Sequence, residues 1–364
     1  MMKFTKKALL ASAVAGLLAS SALAADSAKI GYDGYADANY NLDLNAKNGA
    51  FALNQFGLDI NASDDSLGIK GVISLVHSTY TNTGAGVNVE YVGIDQAYAD
   101  KSFFDGMLEA KIGRFYTLVG YEVVPAPKNA NETSSLLFNN EPVKHDGVVL
   151  TYNPLKSLSV SGYMAEHEGD QLYGAWTSLG SFGGDNYGKD FGAQADYTLG
   201  GLNLIANYYY EPMLDPNGLY DQAHLINGIA SYKLNDSLSF AGEYLYRTFK
   251  FSSDYTTSPM PNFKDQGYSL YSTYTLGSFS VSPRFTQVFY PDLNLSTTYS
   301  GNYAYEVPQT NQYTLTLKYA FGSLTTYLEG NVETTPKGYE VYTNGSSSNV
   351  GTQSNVLIGA NYQF

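Results

Sequence analysis

Apolar and polar residues alternate with a period of two along most of this 364-residue chain. In its final segment, one face carries the residues Val356, Ile358, Ala360, Tyr362 and Phe364. The segments 268–276, 313–321 and 191–199 repeat the pattern. Alternation of this kind predicts β-strands with one apolar face.

The pattern predicts sixteen strands, separated by seven short turns and eight longer connections. Joints such as Gly277-Ser278 and Gly322-Ser323 predict hairpin turns. The longer connections collect Asn, Ser, Gly, Pro and Asp, and we expect them to be long loops. The predicted strands cover 28–40, 50–62, 67–78, 89–100, 107–116, 145–153, 158–168, 189–199, 202–211, 224–234, 238–250, 266–276, 279–290, 311–321, 324–333 and 354–364.

Two strands depart from the pattern. The stretch 90–98 alternates poorly, which leaves the register of strand 89–100 open. Pro283 lies inside an otherwise regular strand, where it removes a ladder hydrogen bond. It suggests a β-bulge at that position.

The faces opposite the apolar ones carry charge, which argues against a soluble sandwich with a dry centre. Charges are costly at the lipid midplane and tolerated in a water-filled lumen. Strands of nine to eleven residues can also cross a bilayer. We therefore expect an all-β fold, a transmembrane antiparallel barrel of about sixteen strands with short periplasmic turns and long extracellular loops. The charges assigned inward are Asp33, Asp37, Asp59, Lys70, Glu109, Lys111, Asp196, Lys233, Glu243, Arg247, Arg284, Lys318 and Glu329.

The N-terminal residues 1–24 predict a cleaved secretory signal peptide. Three lysines precede an apolar run, which ends in Ala22-Leu23-Ala24. We expect Sec-type export, with residues 25–364 forming the barrel in the outer membrane of a Gram-negative bacterium.

Composition narrows the possible partners. Loss of the three signal-peptide lysines changes the formal net charge from −14 to −17, which argues against nucleic acid. The chain has no cysteine and only four histidines, so we expect no metal site and no cofactor. None of these histidines has a serine two residues later, as barrel phospholipases do, and no Asp-x-His occurs. We predict no catalytic residue and no enzyme activity.

The aromatic C-terminus resembles the signal that the barrel-assembly machinery reads in outer-membrane proteins. Phe364, with Tyr362 two residues earlier, would complete the outward face of the closing strand. The resemblance implies that this machinery and outer-membrane lipid are partners.

The region 113–152 resembles the OmpL-like β-barrel porin family. A strand end Gly113-Arg114-Phe115 is followed by Gly120-x-Glu122, an Asn-containing loop, and His145-x-Gly147 at the start of the next strand. The family resemblance implies a porin and carries over no catalytic residue.

The segment 117–144 is the longest predicted loop and the third in order. In sixteen-stranded general porins the third loop folds into the barrel, and by analogy we expect this loop to form the pore constriction. Its candidate residues are Glu122, Glu132 and Glu141, together with Arg114 and Lys111 at the preceding strand. The alternative is an outward loop whose charges are only solvated.

We expect a water-filled channel for passive diffusion of small hydrophilic solutes and ions. Seven inward acids face six bases, so the preference for cations should be weak. Glu243, Arg284 and Glu329 would create a transverse field or a salt-bridge network, and Arg247 and Lys318 face the same lumen. Alternatives on the same barrel are a substrate-selective channel and a surface adhesin. A homotrimer is expected by analogy only.

Overall fold

The fold comes from a computed structural model, which describes residues 28–82, 87–166, 189–212, 220–251, 263–289, 309–335, 340–343, 346–349 and 351–364. Sixteen antiparallel strands form a closed barrel, in which the first strand pairs with the last. Closure leaves no unpaired strand edge, as a membrane-spanning sheet requires. The signal peptide and its cleavage site lie outside the described residues.

The strands of the barrel match the predicted ones in number and order. They are β1 Ala28–Asp43, β2 Asn48–Asp64, β3 Ile69–Asn82, β4 Val87–Phe103, β5 Leu108–Tyr116, β6 Lys144–Leu155, β7 Leu158–Glu166, β8 Lys189–Leu199, β9 Leu202–Pro212, β10 Tyr220–Lys233, β11 Leu238–Phe251, β12 Phe263–Leu276, β13 Phe279–Phe289, β14 Gln309–Phe321, β15 Leu324–Thr334 and β18 Thr352–Gln363. A separate hairpin, β16 Glu340–Thr343 with β17 Ser346–Asn349, occupies the last long connection.

Seven connections of two to four residues lie at one end of the barrel, as predicted. Gly200, Gly277 and Gly322 begin two-residue turns with φ of 59°, 60° and 65°. Glycine adopts this left-handed conformation without steric cost. The hairpin turns of the sequence are therefore confirmed.

At the opposite end, the first connection is not a long loop. β1 and β2 continue beyond their predicted ends and are joined by the four residues 44–47. The rings of Tyr40 and Phe51, 4.8 Å apart on the two strands, continue the outward apolar face up to this turn. Of the polar residues that suggested a loop, Asn41, Asp43 and Asn48 are strand residues.

The poor alternation of β4 has a structural cause. Ser74 pairs with Gln96 and Leu75 pairs with Ile94, so Asp95 is an extra residue on β4. One extra residue shifts the alternation that follows. The open register is thereby resolved as a β-bulge.

The expected bulge at Pro283 is absent. Tyr271 pairs with Arg284 and Tyr274 with Val281, so both strands advance by the same number of residues. Pro283 instead interrupts the ladder to β12 and keeps its pairing with Leu315 on β14. A missing N–H breaks a hydrogen bond without requiring an additional residue.

The outer surface is apolar. Large side chains on it include Phe51, Ile112, Leu150, Leu270 and Ile358, each more than half exposed. Such a surface is unfavourable in water and suits a hydrocarbon environment. None of the described helices is long and apolar enough to cross a membrane.

Candidate functional site: the loop inside the barrel

Residues 117–143 connect β5 to β6 and contact the inner wall of the barrel. The backbone N–H of Thr117 donates to the carbonyl of Val143 at 3.0 Å, which holds the two limbs of the loop together. From there the loop reaches Gln194 on β8, Lys318 on β14 and Gln55 on β2. Two short 3₁₀ turns, Ala126–Lys128 and Phe138–Asn140, shape it.

One side of the loop is packed in an apolar core within the barrel. Leu137 has no exposed surface and Val119 is 3% exposed. They belong to a cluster with inward residues of β5, β9, β10, β11 and β13: Phe115, Tyr209, Leu225, Leu245, Phe249 and Val288. The lumen is therefore not wet throughout, because the loop fills the part next to these strands.

Gly267 permits the close approach of this core to the wall. A Cβ at Gly267 would lie 2.6 Å from Leu137 Cδ2 and 2.7 Å from the carbonyl oxygen of Gln287. Both distances are far inside van der Waals contact, so a side chain there would displace Leu137.

Arg284 binds both limbs of the loop to β13. Its Nη1 is 2.5 Å from Glu122 Oε1 on the outgoing limb and donates to the carbonyl of Thr133, at 2.6 Å, on the returning limb. Nη2 donates to the Ser134 carbonyl at 3.2 Å and to Thr314 Oγ1 at 3.0 Å. The guanidinium is fully buried and can satisfy several acceptors at fixed angles.

Glu122 is held from both sides. Its second oxygen, Oε2, accepts the backbone N–H of Ser135 at 2.7 Å. The residue thus neutralises Arg284 and also closes the loop on itself.

The tip of the loop is bound to β14 and β15. Glu329 accepts the backbone N–H groups of Glu132 and Thr133 at 2.6 and 2.9 Å, and the hydroxyl of Thr316 at 2.6 Å. Lys318 Nζ lies 2.6 Å from Glu132 Oε1 and donates to the carbonyl of Asn129 at 2.8 Å. Burial raises the pKa of Glu132 to about 7, against the lowering effect of Lys318.

Asn131 adds an uncharged anchor at the same place. Its amide Nδ2 donates to the carbonyl of Ser282 at 2.8 Å and to Thr316 Oγ1 at 2.7 Å. The tip thereby joins β13, β14 and β15.

The returning limb ends in the buried carboxyl group of Glu141. Glu141 is 4% exposed, as is Glu243 on β11. Next to them, Arg247 pairs with Asp265 and donates through Nη1 to the Asn140 carbonyl at 2.9 Å. Burial is the main cause that raises the pKa of Glu141 well above its usual range, and Glu243 and Glu122 add to it.

Gly120 makes room for the carboxyl group of Glu141. Its φ is +97°, and a Cβ there would lie 2.0 Å from Glu141 Oε2. A larger residue would be strained in its backbone and would also clash with the carboxyl group.

The predicted constriction residues are placed differently from one another. Glu122, Glu132 and Glu141 are all in the loop and no more than 7% exposed, so their carboxyl groups are turned to the wall and away from water. Lys111 lies closer to the start of β5, and its Nζ is 4.5 Å from the ring centre of Tyr98.

Arg114 is a correction. It pairs with Asp146 on β6 at 2.6 Å. Since Phe115 faces the interior, alternation places Arg114 on the outer side of β5. This orientation contradicts the expectation that Arg114 lines the constriction.

The five residues predicted to face the lumen, by contrast, all contact the loop: Glu243, Arg247, Arg284, Lys318 and Glu329. Arg247, Arg284 and Lys318 each form an ion pair, with Asp265, Glu122 and Glu132. Glu243 and Glu329 accept hydrogen bonds from neutral groups, so no salt bridge joins Arg284 to either of them among the described contacts.

Several amide side chains were missed by the sequence analysis. Gln55 Oε1 accepts the N–H of Ala126 at 3.0 Å, Gln194 donates to the Leu118 carbonyl at 2.7 Å, and Asn227 donates to Glu243 at 2.8 Å. Their signal is an uncharged polar residue at an inward position of a strand.

The wall formed by β1–β5 keeps acids in contact with water. Asp33 and Glu109 are exposed, and Asp59 and Asp100 are partly exposed. Lys70 and Lys111 are the bases assigned to the same wall. On the loop, Tyr121 and Val123 are 39% and 42% exposed.

No group of three or more His, Asp or Glu residues that could hold a metal ion is found within the described ranges. The arrangement is a lumen narrowed by the loop, in which Arg247, Arg284 and Lys318 are bound to the loop while Asp33 and Glu109 are exposed.

A family model described as "Putative beta-barrel porin-2, OmpL-like" matches residues 29–364. The chain belongs to this family. The resemblance seen in 113–152 is thus confirmed over nearly the whole chain. No curated protein matches it.

Solved porins share the fold of this family member. The outer membrane channel DcaP of Acinetobacter baumannii is similar with a TM-score of 0.65 at 14% identity, over 93% of this chain and 98% of that one. The anion-selective porin from Comamonas acidovorans gives 0.63 at 14% identity, over 93% and 100%. OmpT of Vibrio cholerae in a trimer form gives 0.57 at 13% identity, over 93% and 100%.

Proposed function

We propose that this porin forms a water-filled channel for passive diffusion of small hydrophilic solutes and ions. Family membership and the closed barrel support the channel itself. The contacts of residues 117–143 with the inner wall support a constriction at that level. The expected location is the outer membrane of a Gram-negative bacterium, reached by Sec-type export.

Weak cation preference is the finer part of the proposal. One observation carries it: Arg247, Arg284 and Lys318 are each paired with a carboxylate, while Asp33, Asp59 and Glu109 on β1, β2 and β5 remain in contact with water. Unpaired acids along a pore raise the local concentration of cations. One similar porin is anion-selective, so the selectivity of this chain has to be measured on its own.

The test is the reversal potential of the purified protein in a planar bilayer under a KCl gradient. The variant Asp33→Asn/Asp59→Asn removes two inward acids of the β1–β5 wall. Asp105→Asn, in the exposed turn 104–107, removes the same kind of charge at the mouth. We expect a cation preference that falls in the double variant and changes less in the control. Anion preference of the unchanged protein would refute the proposal.

Assembly of the barrel is proposed to depend on Phe364. Its backbone N–H and carbonyl both pair with Gly34 at 2.9 Å, and its ring lies 6.2 Å from that of Tyr362. We further propose a homotrimer, by analogy with the trimer form of OmpT. Native mass spectrometry in detergent tests the oligomer, and a monomer at micromolar concentration would contradict it.

The adhesin alternative depends on outer connections that lie mostly outside the described residues. No observation on the described part favours it over a channel.

A further inference from the structure

The outer face of β11–β13 changes from apolar to polar toward the end of the barrel that carries the long connections. Leu270 on β12 is more than half exposed, as expected of a side chain that faces hydrocarbon. Nearer the rim, the hydroxyl of Tyr244 donates to Gln266 Oε1 at 2.8 Å. The hydroxyl of Tyr268 donates to Gln287 Oε1 at 3.0 Å. Because outward tyrosines gather where hydrocarbon meets headgroups, these two hydrogen bonds mark that boundary on the barrel.

Two lysines lie beyond this boundary. Lys264 follows Gln266 toward the rim by two positions on β12, which is about 7 Å along a strand. Lys264 pairs with Thr248 on β11, and Lys250 is two positions closer to the rim than Thr248. Both lysines are exposed. Since the headgroup region is about 5–8 Å deep on each side of a bilayer, their ammonium groups lie at the depth of lipid headgroups.

The two lysines point away from the lumen. Arg247 and Phe249, on either side of Thr248, are buried inside the barrel, and so is Asp265 next to Lys264. Alternation therefore places Lys250 and Lys264 on the outer face. They are diagonal neighbours across two paired strands, a separation of about 7–8 Å that long side chains can bridge. Both ammonium groups can thus reach one bound group.

Carboxylates do not compensate this charge on the part of the outer face that the structure describes. The acids whose side chains are described on β9–β13 are Glu211, Glu243 and Asp265, and all three are buried. Lys189 on β8 differs, because it forms an ion pair with Glu166 on β7. The pair Lys250 and Lys264 is therefore a positive site that suits an anion.

Aromatic side chains lie beside and below this site. His224 on β10 pairs with Thr248, and its Nδ1 is 2.8 Å from the hydroxyl of Tyr208. The ring of Tyr210 lies 4.9 Å from that of His224. Tyr208 is exposed, as is Tyr244 closer to the hydrocarbon. The surface thus combines a cationic group at headgroup depth with an apolar face beneath it, which suits a molecule with an anionic head and an apolar tail.

We propose that Lys250 and Lys264 bind a phosphate group of a lipid in the leaflet at the long-connection end, with its acyl chains against the outer face of β9–β12. An ammonium group binds phosphate through a charge-assisted hydrogen bond. In the outer membrane, this leaflet holds lipopolysaccharide, whose lipid A carries phosphates. The inference rests on the proposed location in that membrane and does not require the barrel to conduct.

The experiment is native mass spectrometry of the full-length protein in neutral detergent, titrated with bisphosphorylated lipid A. Phosphatidylethanolamine tests whether any lipid binds, and inorganic phosphate tests whether a soluble anion competes. The variants are Lys250→Gln, Lys264→Gln, both together, and Lys250→Arg/Lys264→Arg. Lys156→Gln is the matched control, because Lys156 is exposed in the short turn 156–157 at the opposite end of the barrel.

We expect lipid A to bind the unchanged protein more tightly than phosphatidylethanolamine does. A lysine near an anionic lipid surface contributes about fivefold to binding, so each Gln variant should weaken binding of lipid A about fivefold and the double variant about 25-fold. Lys156→Gln should bind as the unchanged protein does. Lys250→Arg/Lys264→Arg should retain binding because it keeps both charges.

Three results would overturn the inference: undiminished binding of lipid A to the double Gln variant, equal loss in Lys156→Gln, or equal affinity for phosphatidylethanolamine. Displacement of lipid A by an equal concentration of inorganic phosphate would overturn it as well, since the site would then hold a soluble anion. Single-channel conductance separates this inference from the proposed function. A protein that binds lipid A without conducting refutes only the channel, and one that conducts without binding lipid A refutes only the lipid site. Heat-modifiable migration on gels verifies that each variant is folded.

Discussion

Replacing Arg284 by methionine should undock the loop while the barrel remains intact. The change keeps an unbranched side chain of similar length and removes the charge. Glu122 then loses its ion pair at 2.5 Å and stays buried, with the Ser135 N–H as its remaining donor. The Thr133 carbonyl loses its donor at 2.6 Å as well.

The magnitude follows from these losses. Removing one partner of a buried ion pair costs about 3–5 kcal/mol, because the other charge is left uncompensated. At about 1.4 kcal/mol for each factor of ten, the docking equilibrium should shift by roughly two to three and a half orders of magnitude. Most of this cost belongs to the stranded carboxylate of Glu122.

The double variant Arg284→Met/Glu122→Gln is the matched control. It removes the stranded charge, while the amide oxygen at position 122 can still accept the Ser135 N–H. We expect it to recover a large part of the lost protection, with a clear coupling energy in the cycle of the two single variants.

The assay is hydrogen–deuterium exchange of peptides that contain Ser135, with single-channel conductance as a second measurement. Arg284→Met should exchange faster and show a larger or noisier conductance. Unchanged exchange and conductance would refute the idea that Arg284 positions the loop. Additive effects in the double variant would show that Glu122 and Arg284 act separately.

Three further changes test other contacts. Glu329→Gln places an NH₂ group against the backbone N–H of Glu132 or Thr133. It should weaken docking of the tip by about 1–3 kcal/mol. We expect faster hydrogen–deuterium exchange at 132–133 and unchanged exchange at 140–143. Leu137→Ala should weaken docking of the loop by about 2–5 kcal/mol, whereas Val123→Ala, at an exposed position, should weaken it little. Equal effects of the two variants on loop exchange would contradict the apolar core around Leu137. Phe364→Ala should lower the yield of heat-modifiable barrel in isolated outer membranes, and an unchanged yield would exclude a role of this ring in assembly.

Much of the fold could be predicted because each strand repeats one simple rule. Every second side chain faces lipid in strands such as Tyr313–Phe321 and Val356–Phe364. This alternation can be read from one strand alone, without its partners. The bulge at Asp95 could not be located in the same way, since an extra residue is defined only by the partners of its neighbours on β3.

The site could be predicted only in part. Glu243, Arg247, Arg284, Lys318 and Glu329 were recognised as inward because charge stands out against an apolar face. Their contacts with the loop could not be predicted, because they join residues that are more than 100 positions apart in the sequence. Leu245 lies between Tyr244 and Tyr246, so the sequence alone does not show which of the three side chains faces the inner core.

The position of the loop core has a consequence for which molecules can cross. Leu137 and its neighbours fill the space beside β9–β13, and the same loop reaches Gln55 on β2, so the free cross-section is smaller than the sixteen strands enclose. Counting strands therefore overestimates the width left open inside this barrel. If the proposed channel conducts, we expect its exclusion limit to be set by the anchored loop and not by the number of strands.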